Sequence, residues 1–285
     1  MCKMKQITLD YHIHSNFSDG TLCISNILDL IRTNNIQKFS ITDHDNIESI
    51  PEVFRLLPDV SSYIPGIEFT CSEHQLMGFP FPFSIHLLGY NFDYKNKALN
   101  LALKERTARV DSVFSSLLAD ISLLTNKQIT LQEIPISCGV VMQLCDIEAF
   151  VQNNFPQYYK QSLPLISSYA TPLSEANINI TDAINLIHNA GGIAVWAHPF
   201  FVYHNFQKKE ISFSEVNTIL SMLMEHNIDG IEANYFDFSI LQQQQLKNLA
   251  LEKQLIYTCG SDFHGSSHRN HMGIDIMLSD IPINL

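Results

Sequence analysis

The sequence lacks the features that mark membrane proteins and disulfide-stabilised secreted proteins. No apolar run in its 285 residues reaches the roughly 18 residues that a membrane-spanning helix needs. The six cysteines form no CxxC pair, and their scatter is typical of reduced thiols rather than of a disulfide framework. The amino terminus leads into a strand pattern without the apolar core of a signal peptide. We therefore expect a cytoplasmic protein with no membrane partner.

Basic residues are also scarce. Lys and Arg total 17 against 29 Asp and Glu, which gives a net charge of −12. A surface with this charge repels the phosphate backbone of a long nucleic acid. A small phosphorylated molecule, such as a nucleotide or the end of a short oligonucleotide, could still bind at a local site. We therefore expect no long duplex as a partner.

Histidine, in contrast, is abundant, with 12 residues. Imidazoles together with surplus carboxylates are the ligands that Zn²⁺, Mn²⁺ and Fe²⁺ accept in proteins. The positions of these histidines therefore decide whether the sequence encodes a metal site.

Short apolar runs rich in β-formers alternate with helical patterns along most of the chain. This alternation is typical of βαβ units with parallel strands. Seven such strands predict an α/β fold of the TIM-like type, a distorted (β/α)7 barrel. The strands are expected at 7–12, 38–43, 63–69, 85–90, 192–197, 228–233 and 256–261.

One segment interrupts this alternation. Residues 95–180 show no strand pattern, and residues such as Leu103, Val110, Phe114 and Leu117 recur at helical spacing. We predict a helical insertion, or cap domain, over 95–175, between the fourth and fifth strands. The barrel domain would then comprise residues 1–94 and 176–285.

The first predicted strand ends with two histidines, His12 and His14. Residues two apart in an extended segment point the same way, so both imidazoles can face one point. Gly20 permits a tight turn that brings Asp19 back toward them. A single His-x-His pair could equally be a structural feature of a strand end.

Other predicted strands also carry a His, Asp or Glu near one end, and the carboxyl ends of barrel strands are where active sites are built. The resulting nine candidate metal ligands are His12, His14, Asp19, His44, Glu68, His86, His198, Asp262 and His264. Nine ligands exceed the needs of one ion, and no Cys is among them, which argues against a structural zinc. We therefore predict two or three divalent ions (Mn, Fe or Zn) in a hydrolytic site.

The ordered motifs resemble those of the PHP (polymerase and histidinol phosphatase) family, and most closely its stand-alone nucleotide phosphatases and 5′-to-3′ exoribonucleases. The motifs are His12-x-His14 with Ser18-Asp19-Gly20, Thr42-Asp43-His44, Gly66-Ile67-Glu68, His86-Leu87-Leu88-Gly89-Tyr90, Gly191-Gly192 through Ala197-His198-Pro199, and Gly260-Ser261-Asp262-Phe263-His264-Gly265.

The resemblance implies a distorted barrel and a site for three ions. It assigns the first ion to His12, His14, Glu68 and Asp262, the second to Glu68, His86 and His198, and the third to Asp19, His44 and His264. This division among the ions comes from the family alone.

The sequence departs from that branch in two places. The family's Arg-x-His element in the insertion is absent from 137–142, and no Arg follows His198 within residues 199–204. Other side chains could take over phosphate binding, although each could equally be an ordinary surface residue. The candidates are Arg106, Arg109, His204, Arg269 and, after them, Lys208.

These observations predict a metal-dependent phosphoesterase in which a hydroxide held between metal ions attacks phosphorus. The substrate would be a nucleotide phosphomonoester or the terminal phosphodiester of a short oligonucleotide. His198, Asp262 and His264 are the candidate catalytic residues. The alternatives are a histidinol-phosphate phosphatase, a metal-dependent amidohydrolase and a non-catalytic PHP scaffold, which would ordinarily lack some ligands.

Overall fold

The computed structural model describes residues 6–137, 139–265 and 270–277 as a mixed α/β fold. In chain order its elements are β1 (Gln6–Ile13), α1 (Ile24–Thr33), β2 (Lys38–Ile41), α2 (Ser49–Leu56), β3 (Gly66–Thr70), β4 (His86–Tyr90), α3 (Lys97–Thr125), α4 (Leu144–Asn154), α5 (Tyr159–Ser168), α6 (Ala170–Ala176), α7 (Ile180–Asn189), β5 (Ile193–Trp196), β6 (Phe201–His204), β7 (Gln207–Glu210), α8 (Phe213–Glu225), β8 (Gly230–Tyr235), α9 (Ile240–Lys253), β9 (Ile256–Gly260) and β10 (Ile274–Met277).

All seven predicted strands are present, as β1 to β5, β8 and β9. They lie in a three-stranded sheet of order β10-β1-β2 and a five-stranded sheet of order β3-β4-β5-β8-β9. The expectation that all seven are parallel is wrong for β4, which runs antiparallel to both β3 and β5. The connection over residues 71–85 contains no helix, so the chain returns beside β3 without the crossover that a parallel strand requires.

Isolated bridges connect the two sheets on both sides. Phe39 pairs with Tyr63 and His44 with Glu68 between the β2 and β3 segments, while Ile13 pairs with Phe263 next to β1. Continuous hydrogen-bonded ladders do not close the circle among the described strands. A closed seven-stranded barrel therefore stays a prediction.

The main core fills the space between the strands and helices α1, α7, α8 and α9. All six residues of β8 are buried, as expected for a strand covered on both faces. Trp196 at the end of β5 is fully buried and belongs to this core. This packing fixes the strand ends from which the candidate ligands project.

Helices α3 to α6 fill the chain between β4 and the start of α7, and they pack around a hydrophobic cluster of their own. The predicted long helix is α3, with 29 residues, and Asn96 caps it by accepting the backbone N–H groups of residues 98 and 99. Phe114, Leu117, Ile147 and Val151 belong to this second cluster. The division into two domains at 95–175 stays a prediction.

Helices α5 and α6 fall almost wholly within the predicted helical insertion, but neither was predicted as a separate helix, because a proline interrupts the helical pattern in each. Pro164 lies inside α5, and Pro172 lies in the first turn of α6, where a missing N–H costs little. Among the described residues, none of the helices combines the length and apolar character needed to span a membrane.

Candidate metal centre

Two imidazoles at the end of β1 face one carboxylate from β3. His12 Nε2 and His14 Nε2 lie 3.1 Å and 3.0 Å from Glu68 Oε2. Asp262, which follows β9, places its Oδ1 3.4 Å and 3.2 Å from the same two nitrogens. All four side chains are buried. The predicted first ligand group is therefore brought together in space.

Glu68 also faces histidines from three other elements. Its Oε1 lies 3.1 Å from His86 Nδ1 and 3.2 Å from His198 Nε2, while its Oε2 lies 3.4 Å from His44 Nδ1. His86 is the first residue of β4, and the antiparallel direction of β4 brings this residue to the same edge as the carboxyl ends of the neighbouring strands. Glu68 thus occupies the centre of the cluster, with each oxygen directed to a different set of imidazoles.

Asp19 forms the outer side of the cluster. Its carboxylate lies 3.5 Å from His14 Nδ1, 3.9 Å from His44 Nε2 and 3.3 Å from His264 Nε2. The turn that carries Asp19 needs Gly20, because a Cβ at Gly20 would lie 2.6 Å from the carbonyl oxygen of His14.

All nine predicted ligands therefore lie in one cluster. The ligand atoms of eight of them fall into three groups: His14, Asp19, His44 and His264; His12, His14, Glu68 and Asp262; and His44, Glu68 and His86. The ninth residue, His198, belongs to none of these groups and joins the cluster through its contact with Glu68. The second group is the one that the resemblance assigns to the first ion. The first group is the predicted third set with His14 added. The third group has His44 in place of His198, so the predicted set of Glu68, His86 and His198 is not among the three.

The donor atoms fit divalent metal ions. His12 Nε2, His14 Nε2 and Glu68 Oε2 are buried and close together, yet they make no well-formed hydrogen bond among the described residues. Buried polar atoms ordinarily find hydrogen-bond partners. Imidazole and carboxylate donors converging in this way could bind Zn²⁺, Mn²⁺ or Fe²⁺.

The electrostatics of the cluster without ions agree with this fit. Burial is the largest influence on His14 and by itself lowers its pKa, but the close carboxylates of Asp262 and Glu68 raise the pKa to about 10. Burial lowers the pKa of His44 to about 3 and that of His198 to about 4. At neutral pH, the cluster without ions therefore favours a protonated His14 beside Glu68 and neutral rings at His44 and His198.

Asp43 and Asp45, the carboxylates on either side of His44, accept hydrogen bonds from the surrounding loops. Asp43 accepts hydrogen bonds from the Ser15 backbone N–H at 2.7 Å and the Ser18 hydroxyl at 2.8 Å. Asp45 accepts the backbone N–H of Thr70 at 3.2 Å. These two carboxylates therefore bind the loops around the cluster and, in the case of Asp45, also the Arg106 guanidinium at 2.9 Å.

One buried carboxylate beside the cluster, Glu232, was not among the predicted site residues. Its Oε1 accepts a hydrogen bond from His12 Nδ1 at 3.0 Å, and its Oε2 accepts the backbone N–H of His198 at 2.8 Å. The available signal was a charged residue inside the otherwise apolar run 228–233.

A cavity of about 490 Å³ lies beside the cluster. Asp19, His44 and His86 line this cavity, together with a largely apolar wall from α3, α6 and the chain at the start of α4. That wall includes Val110, Phe114, Val141, Met142, Leu144 and Leu173. The Val140 backbone N–H donates to the carbonyl oxygen of Ser18 at 3.0 Å, which joins this wall to the turn that carries Asp19.

The predicted phosphate-binding residues have different surroundings. Arg106 lines the cavity, but its guanidinium lies 2.9 Å from Asp45 and donates to the Asn177 side chain. Arg109 donates to the carbonyl oxygen of Ala176 and lines a separate cavity, so the structure does not bring it to the cluster.

The remaining basic candidates lie on or after the β6–β7 hairpin. His204 lies 3.3 Å from Glu73, and the Lys208 ammonium sits 3.6 Å above the Phe201 ring. Arg269 lies outside the described residues. From the same hairpin, Tyr203 lines the cavity and stacks on His86, with ring centroids 4.4 Å apart.

Fold and site together define a mixed α/β protein with a candidate metal centre. The family model of the PHP domain matches residues 10–239, so the chain belongs to the PHP family. It is similar to the 5′-3′ exoribonuclease Rnm of Salmonella typhimurium, with 23% identity over 90% of this chain and 85% of the relative.

Two further relatives cover nearly the whole chain. The phosphoribosyl 1,2-cyclic phosphate 1,2-diphosphodiesterase of Eggerthella lenta is 22% identical over 94% of this chain and 98% of its own length. A metal-dependent phosphoesterase structure from Bifidobacterium adolescentis aligns with a TM-score of 0.62 and 19% identity, over 94% of this chain and 92% of that one. The protein is thus a metal-dependent hydrolase of phosphate esters.

Proposed function

We propose that the protein hydrolyses a phosphate ester of a nucleotide or a short oligonucleotide. The observation that carries this proposal is the nine-residue ligand cluster, centred on Glu68 and opening on a cavity of about 490 Å³. The names of the exoribonuclease and cyclic phosphodiesterase relatives support a nucleotide-type substrate.

Two or three divalent ions (Mn, Fe or Zn) would be held by the nine ligands, with Glu68 between two of them. Bound ions would act as Lewis acids, provide a nucleophile from water near neutral pH and neutralise charge on the phosphate. The protein would keep these ligand side chains in fixed positions, because five of them are almost wholly buried: His12, His14, Glu68, His198 and Asp262.

The three candidate catalytic residues would act through orientation. Asp262 directs Oδ1 toward His12 and His14, while its Oδ2 accepts a hydrogen bond from the Tyr235 hydroxyl at 2.8 Å. His264 Nδ1 donates to the Asp262 carbonyl oxygen at 2.8 Å, which leaves its Nε2 toward Asp19. His198 directs Nε2 toward Glu68 from the opposite side. These contacts fix the three donor atoms before substrate binds.

The cavity suits a nucleoside phosphate. Its apolar wall can cover a base, since Phe114, Met142 and Leu173 offer contact surface without charge. The phosphate would lie toward His44 and His86, where the ions supply positive charge. Arg106 would not bind the phosphate directly, because Asp45 and Asn177 already occupy its guanidinium.

We propose in addition that the strands form the distorted seven-stranded barrel and that residues 95–175 form a cap over its site. The separate hydrophobic cluster of α3 to α6 and the contact between residue 140 and Ser18 support the cap. The bridges that join the two sheets support the barrel.

The experiment measures hydrolysis of a set of substrates by the Mn²⁺-loaded protein. Monoesters are followed by the release of inorganic phosphate, and the RNA and the cyclic phosphate by chromatography of the released nucleotide or the ring-opened monoester. The set contains adenosine 3′,5′-bisphosphate, a 5′-phosphorylated short RNA, AMP, a phosphoribosyl 1,2-cyclic phosphate and histidinol phosphate. Turnover of the nucleotide substrates with little on histidinol phosphate is expected. Activity on histidinol phosphate alone would establish the alternative phosphatase, and no turnover on any of the five would refute the proposal.

Matched variants test the ligand assignment. Asp262→Ala and His264→Ala should abolish turnover while circular dichroism shows a retained fold. Asp29→Ala, which removes a carboxylate from the exposed side of α1, should leave turnover unchanged. Normal turnover by Asp262→Ala would contradict the assignment.

A further inference from the structure

We propose that Glu232 is a positioning residue that holds ligands of two neighbouring ion positions, His12 and His198, in their binding orientation. The inference rests on the proposed metal centre but not on the identity of the substrate.

Glu232 lies within β8 and is completely buried. Its two oxygens contact two different elements. Oε1 binds the imidazole of His12 on β1, at 3.0 Å from Nδ1, and Oε2 binds the backbone N–H of His198 after β5, at 2.8 Å. One carboxylate therefore connects the two sheets at the ligand cluster.

The contact between Glu232 and His12 determines which ring nitrogen of His12 carries the proton. Because a carboxylate accepts the proton of Nδ1, the neutral ring carries its free electron pair on Nε2. That nitrogen faces Glu68 Oε2 at 3.1 Å and Asp262 Oδ1 at 3.4 Å. A carboxylate behind a ligating imidazole fixes its tautomer and ring orientation and raises its basicity.

The second contact stabilises an unusual backbone at His198. The φ angle of this residue is +34°, in a region that L-residues with side chains rarely adopt. This conformation directs Nε2 toward Glu68 Oε1 at 3.2 Å. Such backbone conformations persist where surrounding contacts determine them, and here the hydrogen bond to Glu232 is one of those contacts.

The neighbouring strand leaves room for this arrangement. Gly260 ends β9 beside the pair, and a Cβ there would lie 2.5 Å from Glu232 Oε1 and 2.2 Å from His12 Cβ. A larger residue at position 260 would therefore displace either the carboxylate or the imidazole. Gly260 is thus required for the contact between Glu232 and His12.

The test is the isosteric variant Glu232→Gln. A glutamine offers one acceptor oxygen to two N–H groups, and its amide N–H₂ then faces either the His12 ring or the His198 backbone N–H. Outer contacts of this kind change metal affinity by roughly 10- to 100-fold. We expect Mn²⁺ titration of the metal-free variant, followed by electron paramagnetic resonance, to show weaker binding of that order.

The matched control is Asp229→Asn. Asp229 lies immediately before the first residue of β8. Asp229 also accepts one imidazole and one backbone N–H, from His188 Nε2 at 2.7 Å and from Ala194 at 2.8 Å. This control should bind Mn²⁺ like the wild type. Equal affinity in Glu232→Gln and the wild type, or an equal loss in both variants, would overturn the proposal.

If Glu232→Gln does not fold, Glu232→Asp replaces it in the titration. The shorter carboxylate keeps the charge but cannot reach both partners, so weaker Mn²⁺ binding is again expected. Binding equal to that of the wild type would overturn the proposal. The readout is metal binding, so a failure of the proposed substrate class would appear separately, as absent turnover with normal Mn²⁺ affinity.

Discussion

Replacing Arg106 with alanine should destabilise the fold strongly, although sequence reasoning placed this residue in substrate binding. The Arg106 guanidinium lies 2.9 Å from Asp45, and the two side chains are 14% and 2% exposed. It also donates two hydrogen bonds to the Asn177 side chain, at 3.0 Å and 2.8 Å. Alanine would leave the Asp45 carboxylate buried without its cation.

The magnitude follows from this burial. Removing one partner of a buried ion pair costs about 3–5 kcal/mol, because the remaining charge keeps its desolvation penalty. Because Arg106 is partly exposed, the lower end of this range applies. We therefore expect the free energy of unfolding to fall by about 3 kcal/mol. A loss of this size lowers the melting temperature of a chain this long by roughly 6–12 °C.

The assay is urea unfolding of the metal-free protein, followed by circular dichroism. Arg32→Ala is the control, since Arg32 pairs with Asp29 at a similar 2.6 Å but the side chains are 58% and 71% exposed. An exposed pair contributes roughly 0–1 kcal/mol, so this variant should unfold nearly like the wild type.

A double-mutant cycle with Asp45→Asn completes the test. The two substitutions should be strongly non-additive, because both remove the same contact. If Arg106→Ala lowers the free energy of unfolding by less than about 1 kcal/mol, the reasoning is refuted, because only the loss of a solvent-exposed ion pair has so small an effect. Arg106 would then be available to a substrate phosphate.

Three further predictions concern the α3–α6 cluster and the metal centre. Leu117→Ala, in the core of that cluster, should cost about 2–5 kcal/mol in urea unfolding, whereas the 82%-exposed Leu123→Ala should stay within about 0.5 kcal/mol; equal effects would contradict the packing. The hydrogen bond from the Tyr169 hydroxyl to Asp120, 2.6 Å long, raises the tyrosine pKa to about 12, so its contribution to stability is present below pH 10 and lost as the pH rises through 12. Tyr169→Phe should therefore remove an ionisation near pH 12 from the absorbance titration at 295 nm, and loss of one near pH 10 instead would show the bond absent. Because the pKa of His14 is raised to about 10 and that of His12 also lies well above its ordinary value, Mn²⁺ binding at pH 7.5 should release at least one proton, and binding enthalpies independent of the buffer's ionisation enthalpy would contradict this.

Strand and ligand positions were predictable because they rest on short-range patterns. Each of the seven β-rich runs is a strand, and all nine candidate ligands lie in one cluster. A strand end with His or Asp is visible within a few residues, and parallel strands bring such ends to one edge. Helices α5 and α6 were not predicted as separate helices because Pro164 and Pro172 obscure the local pattern, and packing overrides that signal.

The sequence by itself determined the alternation of elements, the ligand set and, with its ordered motifs, the family. Only the tertiary structure decided the direction of β4, the partner of Arg106 and the place of Glu232 behind two ligands. The physical reason is the distance along the chain over which each kind of interaction acts. Periodicity and turn chemistry act over a few residues, whereas ion pairs and hydrogen bonds such as that of His12 with Glu232 join residues 220 positions apart. The relative placement of such partners is fixed only when the whole core packs.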